Sequence, residues 1–372
     1  MPKPRLELLY SSMEERGLDA VALIPGANLY YLTGLSMHTS ERVTLALFTR
    51  ERRGYLLLPS LEQARARALL NSPMALYPWT DEDGAAAGWA ALSKDLDLAL
   101  KSVAVEYLNM RVLELEELER FAAGSKIEDA GPLLADLRMV KDAAELEAMR
   151  RAAQVIDHSL EDTLRIARAG MTERELAATW QLNMKKSGAD SMPEEPIVAS
   201  GPNSAAPHIT SSDRPLQTGD MVIFDGWCQV DGYFTDITRT VAVGPVSAEM
   251  RNVYEVVRKA NSAGRAAVME GIEAQTVDRA ARDVVDRAGY GGYFLHRTGH
   301  GLGLEVHEPP GIVRGNKLLL KRGMTFTVEP GIYVPGQGGV RIEDDVVVTQ
   351  DGVGTLTGFP RDLITLAARS TV

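Results

Sequence analysis

The chain has 372 residues, 45% of them apolar and 24% charged, and its 51 acids against 40 bases give a formal net charge of −11. That balance excludes a mainly disordered or collagen-like chain and offers no basic surface to nucleic acid or an anionic membrane. A single cysteine, Cys228, excludes an intramolecular disulfide and a cysteine-based zinc site.

At roughly 150 residues per domain, two domains are expected. Met1 to Tyr10 contains no apolar core of signal-peptide length. No stretch reaches the ~18 apolar residues of a membrane span, so the expected location is the cytoplasm. The first part alternates helix and strand. Leu6, Leu9 and Met13 have helical spacing, and Ala20 to Ile24 is a short apolar run closed by Pro25-Gly26. Val43 to Phe48 and Gly54 to Pro59 flank a charged turn and predict a hairpin. Leu61 to Leu70 and Leu113 to Ala122 predict helices, and Val103 to Val105 a strand. Ile127 to Val140 reads as the crossing between domains, with the boundary at 130/131.

Beyond it the helices lengthen. Asp142 with Glu145, and Thr172 with Glu175, have the spacing of capping boxes, and Gly170 suits a helix C-terminus. Leu146, Met149, Ala153, Ile156, Leu160 and Leu164 form one apolar stripe. His158 falls off that stripe and is expected to be exposed. Ser247 and Thr276 are candidate N-caps for helices over about 248–269 and 277–288. Strands are expected at 197–200, 221–229, 233–243, 293–298, 303–307, 325–333 and 339–348. The second half is therefore α+β with mainly antiparallel pairing.

The candidate chemistry lies in those strands. Asp225 ends the apolar run Met221-Val222-Ile223-Phe224, and Asp236 follows on the return strand of a hairpin turning at Asp231-Gly232. Glu329 and Glu343 occupy similar positions near a second turn, and His296, His300 and His307 cluster within twelve residues. Taken singly, an Asp pair is ordinary surface charge and a strand histidine an ordinary partner of a carbonyl. Glycines 299, 301 and 303 lack the pattern of a dinucleotide loop. Jointly, four acids in apolar strands would repel and lose hydration unless a cation joined them. Carboxylates with one imidazole suit Mn²⁺, Co²⁺ or Zn²⁺, and so much negative charge suits two ions better than one.

At these residues the sequence resembles the M24 pita-bread metallopeptidases, and among them the proline peptidases, Xaa-Pro dipeptidase (prolidase) and aminopeptidase P. The matching blocks are Ile197 to His208, Asp231 to Thr240, His296 to Glu308, Val328 to Tyr333 and Val340 to Asp344. The first half resembles the creatinase/prolidase N-terminal domain, most clearly at Tyr30-Tyr31-Leu32-Thr33-Gly34 after Gly17-Leu18-Asp19-Ala20. The resemblance implies an α/β N-terminal domain over 1–130 and an α+β pita-bread catalytic domain over 131–372. It makes Asp225, Asp236, His300, Glu329 and Glu343 the ligands of two divalent ions, manganese being expected and cobalt or zinc the alternatives. Asp236 and Glu343 would bridge the ions, with Arg341 fixing a bridging carboxylate and His296 supporting from outside. Glu329 would be the general acid–base, His307 would stabilise the oxyanion, and His208 would assist the leaving nitrogen.

The implied reaction is hydrolysis of the Xaa-Pro bond in short peptides, most directly as a dipeptidase, with aminopeptidase P as the alternative. A homodimer is expected. A creatinase-like hydrolase would lack the ligand set, a methionine aminopeptidase would lack the N-terminal domain, and a non-catalytic module would have lost ligands. Where the family has Phe-Gly-Ala after the first aspartate, this chain has Gly226-Trp227-Cys228. Cys228 is expected to be packed, and Trp227 to lie in the core. Pro193-Glu194-Glu195-Pro196 replaces an apolar stretch, so Glu194 is a candidate for the pocket of the first substrate residue. The equal alternative is a solvated loop. His38, Glu41 and Arg42 follow the Tyr-Leu-Thr-Gly motif and could limit substrate length, or simply form a surface loop. Tyr233 completes the candidate substrate contacts.

Overall fold

A computed structural model of the chain describes residues 5–96 and 101–368, which separate into two compact units, Met1–Arg138 and Met139–Val372. The first unit is built on a six-stranded sheet of β1 (Ala20–Leu23), β2 (Leu45–Thr49), β3 (Arg53–Pro59), β4 (Ala75–Trp79), β5 (Ser102–Val105) and β6 (Lys126–Asp129). Their order is β4-β3-β2-β1-β5-β6. β2 and β3 form the expected antiparallel hairpin, while β4, β5 and β6 join in parallel. Apart from the charged edge strand β6, the strands are largely apolar, as a sheet covered on both faces requires. Helices α1 (Arg5–Arg16), α2 (Ala27–Thr33), α3 (Gln63–Leu69), α4 (Ala85–Leu92), α5 (Val112–Phe121) and α6 (Gly131–Arg138) complete the unit.

The Tyr-Leu-Thr-Gly motif takes a definite form here, and one sequence expectation changes. Tyr30 to Thr33 is helical and is closed by Gly34 in the left-handed conformation at φ 72°. Residues 127–140 are not a crossing segment. They hold β6, which pairs with β5, and α6, so the break between units falls after Arg138 instead of at 130.

The second unit begins with α7 (Ala143–Ile166) and α8 (Glu173–Lys186). Both carry the predicted capping boxes. β7 (Ile197–Ser200), β8 (Met221–Val230) and β9 (Tyr233–Val243) follow as an antiparallel sheet. The tip of the β8–β9 hairpin has Asp231 at φ 52° and Gly232 at φ 83°, the backbone of a tight turn matched to strand twist. Alternate residues of β8 then go to opposite faces. Val222, Phe224 and Cys228 pack with Ile156, Leu160 and Trp180 of α7 and α8 in one apolar core. Fully burying each such side chain contributes about 1.5–3 kcal/mol. The carboxylate of Asp225 is on the other face. Cys228 is packed as expected, and burial raises its thiol well above the usual range.

α9 (Ala248–Ala266) and α10 (Ala274–Arg287) form a second helical layer over Met221, Ala242, Ile332, Val340 and Ile342. Ser247 caps α9 through the N–H of Met250. Thr276 is no cap, because α10 already starts at Ala274. The remaining strands are β10 (Gly299–Gly301), β11 (Glu308–Ile312), β12 (Thr325–Val328), β13 (Gly331–Val334), β14 (Gly338–Arg341), β15 (Asp344–Thr349), β16 (Gly352–Thr355) and β17 (Thr365–Leu366). Pairing is antiparallel except between β17 and β9. Residues 293–298 and 303–307 are turns and bends, not strands, and the pairing strands are 299–301 and 308–312. No helix among the described residues is long and apolar enough to cross a membrane.

Candidate active site

The β8–β9 register sets Asp225 opposite Thr238 and Trp227 opposite Asp236. All four therefore share one face, with the two aspartates diagonal to each other. Glu343 is added by a bridge to the same strand. Its N–H donates to the Thr238 carbonyl at 3.0 Å, and the Thr238 hydroxyl donates to its Oε2 at 2.7 Å. Behind it, Arg239 donates to the Glu343 carbonyl and, at 2.8 Å, to the buried carboxylate of Asp344. Asn261 and Arg361 also donate to Asp344, and this cationic shell holds its carboxyl down at about 2. Glu343 thus stands on a rigid polar foundation.

β10 supplies His300. Its N–H donates to the Thr327 hydroxyl, and its Nδ1 lies 3.1 Å from the Gly301 carbonyl. A nitrogen facing a carbonyl must carry the proton, which leaves Nε2 with a free lone pair. That lone pair faces Glu329 Oε1 at 3.4 Å and Asp236 Oδ2 at 4.0 Å. Burial pushes the imidazole down to about 3, so it is neutral at pH 7. Glu329 is anchored by its own N–H on the Thr298 carbonyl at 2.7 Å. Asp236, His300 and Glu343 each place a ligand atom within 4.8 Å of the others.

The donors fit a divalent cation. Asp236 Oδ1 and Glu343 Oε1 are buried with no hydrogen-bond partner among the described residues. Such oxygens are strongly disfavoured unless something positive meets them. Burial, and after it the neighbouring acids, push Asp236 and Glu343 well above the carboxylate range. Burial also raises Glu329 to about 7. Three acids whose charged forms burial disfavours, beside a neutral imidazole, form a ligand set for a hard or borderline metal.

Of the five predicted ligands, Asp236, His300 and Glu343 are drawn together with Glu329 alongside, while Asp225 is gripped by Arg341. That pair corrects an expectation, since Arg341 forms its ion pair with Asp225 and not with Asp236 or Glu343. Arg341 also donates to the Tyr333 hydroxyl at 2.6 Å, and that hydroxyl lies 2.8 Å from His296 Nε2. His296 is thus linked to Asp225 through Tyr333 and Arg341. Burial holds its ring neutral, down at about 4.

These groups line a cavity of about 620 Å³ that also exposes His208, His307, Ile197, Val306, Trp227 and Arg297. His307 packs edge-on against His300 with ring centroids 4.2 Å apart. Burial holds His307 below the usual imidazole range. Trp227 is not a core residue. It faces the cavity and packs on Phe234 at 5.1 Å, and the two-residue strand period from Asp225 was the signal for this. Arg297 and Tyr333 had no distinguishing signal beyond their place in the motifs.

The candidate substrate contacts fare differently. Glu194 is exposed and is not among the residues that line the cavity. Among the described residues only its backbone carbonyl is engaged, by Gln181. Tyr233 points its hydroxyl at Glu145, 2.9 Å away, and so braces the start of α7. His38 and Arg42 belong to the first unit, where they line a small surface pocket and Arg42 pairs with Asp81. His158 is exposed as expected.

Residues 147–350 match the model of metallopeptidase family M24, and residues 5–140 match that of the creatinase/prolidase N-terminal domain. The chain belongs to metallopeptidase family M24. An Xaa-Pro dipeptidase of Pyrococcus furiosus is 34% identical over 97% of this chain and 100% of its own length. Among solved structures, a dipeptidase from Pyrococcus horikoshii OT3 has 40% identity and a TM-score of 0.91, covering 97% of this chain and 100% of that one. An X-Pro aminopeptidase from Thermotoga maritima MSB8 has 31% identity and a TM-score of 0.83, covering 96% and 100%. The M24 catalytic unit therefore has the α+β pita-bread fold, preceded by the α/β creatinase/prolidase-type unit.

Proposed function

We propose that this M24 metallopeptidase hydrolyses the Xaa-Pro bond of dipeptides. The observation that carries the reading is the buried cluster of Asp236, His300 and Glu343, with unpartnered carboxylate oxygens opening on a cavity of about 620 Å³. The full-length similarity to an Xaa-Pro dipeptidase supports the substrate class. Asp236, His300, Glu329 and Glu343 would hold divalent ions, with Asp225 completing the set. The carboxylate-rich set with a single imidazole favours manganese. Bound ions would supply an activated water at neutral pH and polarise the scissile carbonyl.

The protein's own groups supply the rest. Glu329 lines the cavity beside His300, so its carboxylate would take a proton from water and return it to the leaving nitrogen. The proline nitrogen leaves only once protonated, because an amine anion is too basic a leaving group. His307 is neutral beside His300 and donates an N–H to the oxygen on which charge develops. His208, which also lines the cavity, would assist the leaving side. A cytoplasmic homodimer accompanies this reading, supported by the family resemblance and by a lone, buried cysteine that needs no oxidising compartment.

The test is hydrolysis of Ala-Pro and Ala-Pro-Ala by the manganese-loaded protein, with Asp236→Ala as control. Preferential cleavage of Ala-Pro, lost in the variant, is expected. Preference for Ala-Pro-Ala would instead make the enzyme an aminopeptidase. Failure to cut either peptide with metal bound would refute a proline peptidase.

A further inference from the structure

His208 stands on the loop between β7 and β8, not on either strand. Residues 206–210 at the tip form no helix or strand and are exposed or half-buried, yet the tip brings Pro207 and His208 to the cavity wall. Its tie to Arg341 is long, with Nη1 3.5 Å from the Pro207 carbonyl. The loop is fixed at its base instead.

There Glu173, in the first turn of α8, is completely buried. Among the described residues no cation pairs with it, since the neighbouring Arg214 is committed to Asp220 at 2.6 and 2.9 Å. The two oxygens of Glu173 divide the loop between them. Oε1 accepts the N–H of Ser200 at 2.7 Å and its hydroxyl at 2.6 Å, where the chain enters the loop. Oε2 accepts the N–H of Ser212 at 3.0 Å and its hydroxyl at 2.6 Å, where the chain returns. The Asn203 amide reaches both oxygens, at 3.1 and 3.0 Å. One anion thus joins the two ends of the loop, and its charge suits a helix N-terminus. A satisfied buried network of this kind rigidifies what it joins.

We propose that Glu173 is a positioning residue: its carboxylate clamps the two ends of the 200–212 loop and so sets the place of His208 in the cavity. This rests on the reading of His208 as the group that assists the leaving nitrogen. The clamp needs both oxygens. A glutamine of the same size has one acceptor oxygen and an NH₂ that can only donate. It can hold one end of the loop but leaves the N–H at the other end unmet. Ser211 still ties the base to the start of β7, accepting the Val198 N–H at 2.9 Å and donating to the Pro196 carbonyl at 3.1 Å. Glu173→Gln should therefore loosen the loop and leave the fold in place.

The experiment measures hydrogen–deuterium exchange and Ala-Pro hydrolysis for the wild type, Glu173→Gln, Ser212→Ala, His208→Ala and the double variant Glu173→Gln/His208→Ala, all loaded with manganese to equal metal content. In Glu173→Gln, exchange should rise in peptides covering 200–212 and stay unchanged in those covering Asp225, Asp236 and Glu343. Its kcat should fall by about 10- to 100-fold, up to the loss that a ~1 Å misplacement brings, with KM little changed. Ser212→Ala, which removes one hydroxyl donor, should show the same pattern more mildly. The double variant should be no slower than His208→Ala alone, because a clamp acting only through His208 has nothing left to place. Losses that multiply in the double variant, or exchange that rises throughout the second unit, would overturn the assignment. So would Glu173→Gln indistinguishable from the wild type in exchange or in rate, or His208→Ala with an unchanged rate. A wild type that cleaves no Xaa-Pro peptide would sink the functional reading and this inference with it, whereas an active wild type with an unmoved loop in Glu173→Gln would sink this inference alone.

Discussion

Asp344 is the buried hub behind the site, and Asp344→Asn tests whether it is structural. Its carboxylate is fully buried and meets Arg239, Arg361 and Asn261 at 2.7–2.9 Å. Removing one member of a buried ion pair destabilises by roughly 3–5 kcal/mol. A second route starts from the carboxyl itself, which is held at about 2 against an ordinary value of 3.8. At 1.36 kcal/mol per pH unit that difference favours the native state by about 2.4 kcal/mol at neutral pH. Arg239 also donates to the carbonyls of Phe359, Pro360 and Glu343, so its charge keeps partners, and the lower part of the combined range, ~2–4 kcal/mol, is expected. Urea unfolding followed by tryptophan fluorescence measures it, since Trp180 is buried in this unit's core. A lowered carboxyl stabilises above its unfolded value and ceases to do so as pH falls through its folded value. The gap between variant and wild type should therefore shrink from about pH 4 toward pH 2. A loss below about 1 kcal/mol at pH 7, or a gap that widens in acid, would show that Asp344 is not a stabilising buried anion.

Removing metal should leave a protein whose stability falls between about pH 6.5 and 8. In that window Glu329 and Asp345, raised by burial to about 7 and about 8, lose protons in the folded state that the unfolded chain has already lost. The buried histidines act only below about 6.5 and in the opposite direction; thermal melts of chelated protein across this range, rising instead of falling, would contradict the account. Trp227→Gly should open the cavity wall and relax selection against bulky residues before proline, read as a change in relative kcat/KM across an Xaa-Pro series with metal content unchanged. An unaltered ranking would place Trp227 outside the substrate's reach. His307→Ala should lower kcat by about 100- to 1,000-fold, the loss typical of one oxyanion donor, and leave manganese binding intact. A loss of metal in that variant would make His307 a ligand.

Much of this was legible because local chemistry was strong. Asp231-Gly232 set the hairpin register, and that register alone placed Asp225 and Asp236 on one face. The two capping boxes fixed the starts of α7 and α8. Reading failed where tertiary packing decides. Residues 303–307 looked like a strand, yet the pairing segment is Gly299–Gly301, where a side chain at Gly299 would strike the Thr327 carbonyl and one at Gly301 that of Pro309. Nothing in sequence order reveals such closeness of backbones. Arg341 was rightly suspected of holding a carboxylate, but which one depends on Asp225, 116 positions away. Trp227 was readable, since two residues along a strand return to the same face.

If the buried acids are metal ligands, calorimetric titration of chelated protein with Mn²⁺ at pH 7 will show it. Two ions per chain should bind, with protons released from Asp236, Glu329 and Glu343 and detected by repeating the titration in buffers of different ionisation enthalpy. Asp236→Ala should abolish at least one of the two. Absence of binding by the wild type, or binding unchanged in Asp236→Ala, would show that these acids are not metal ligands.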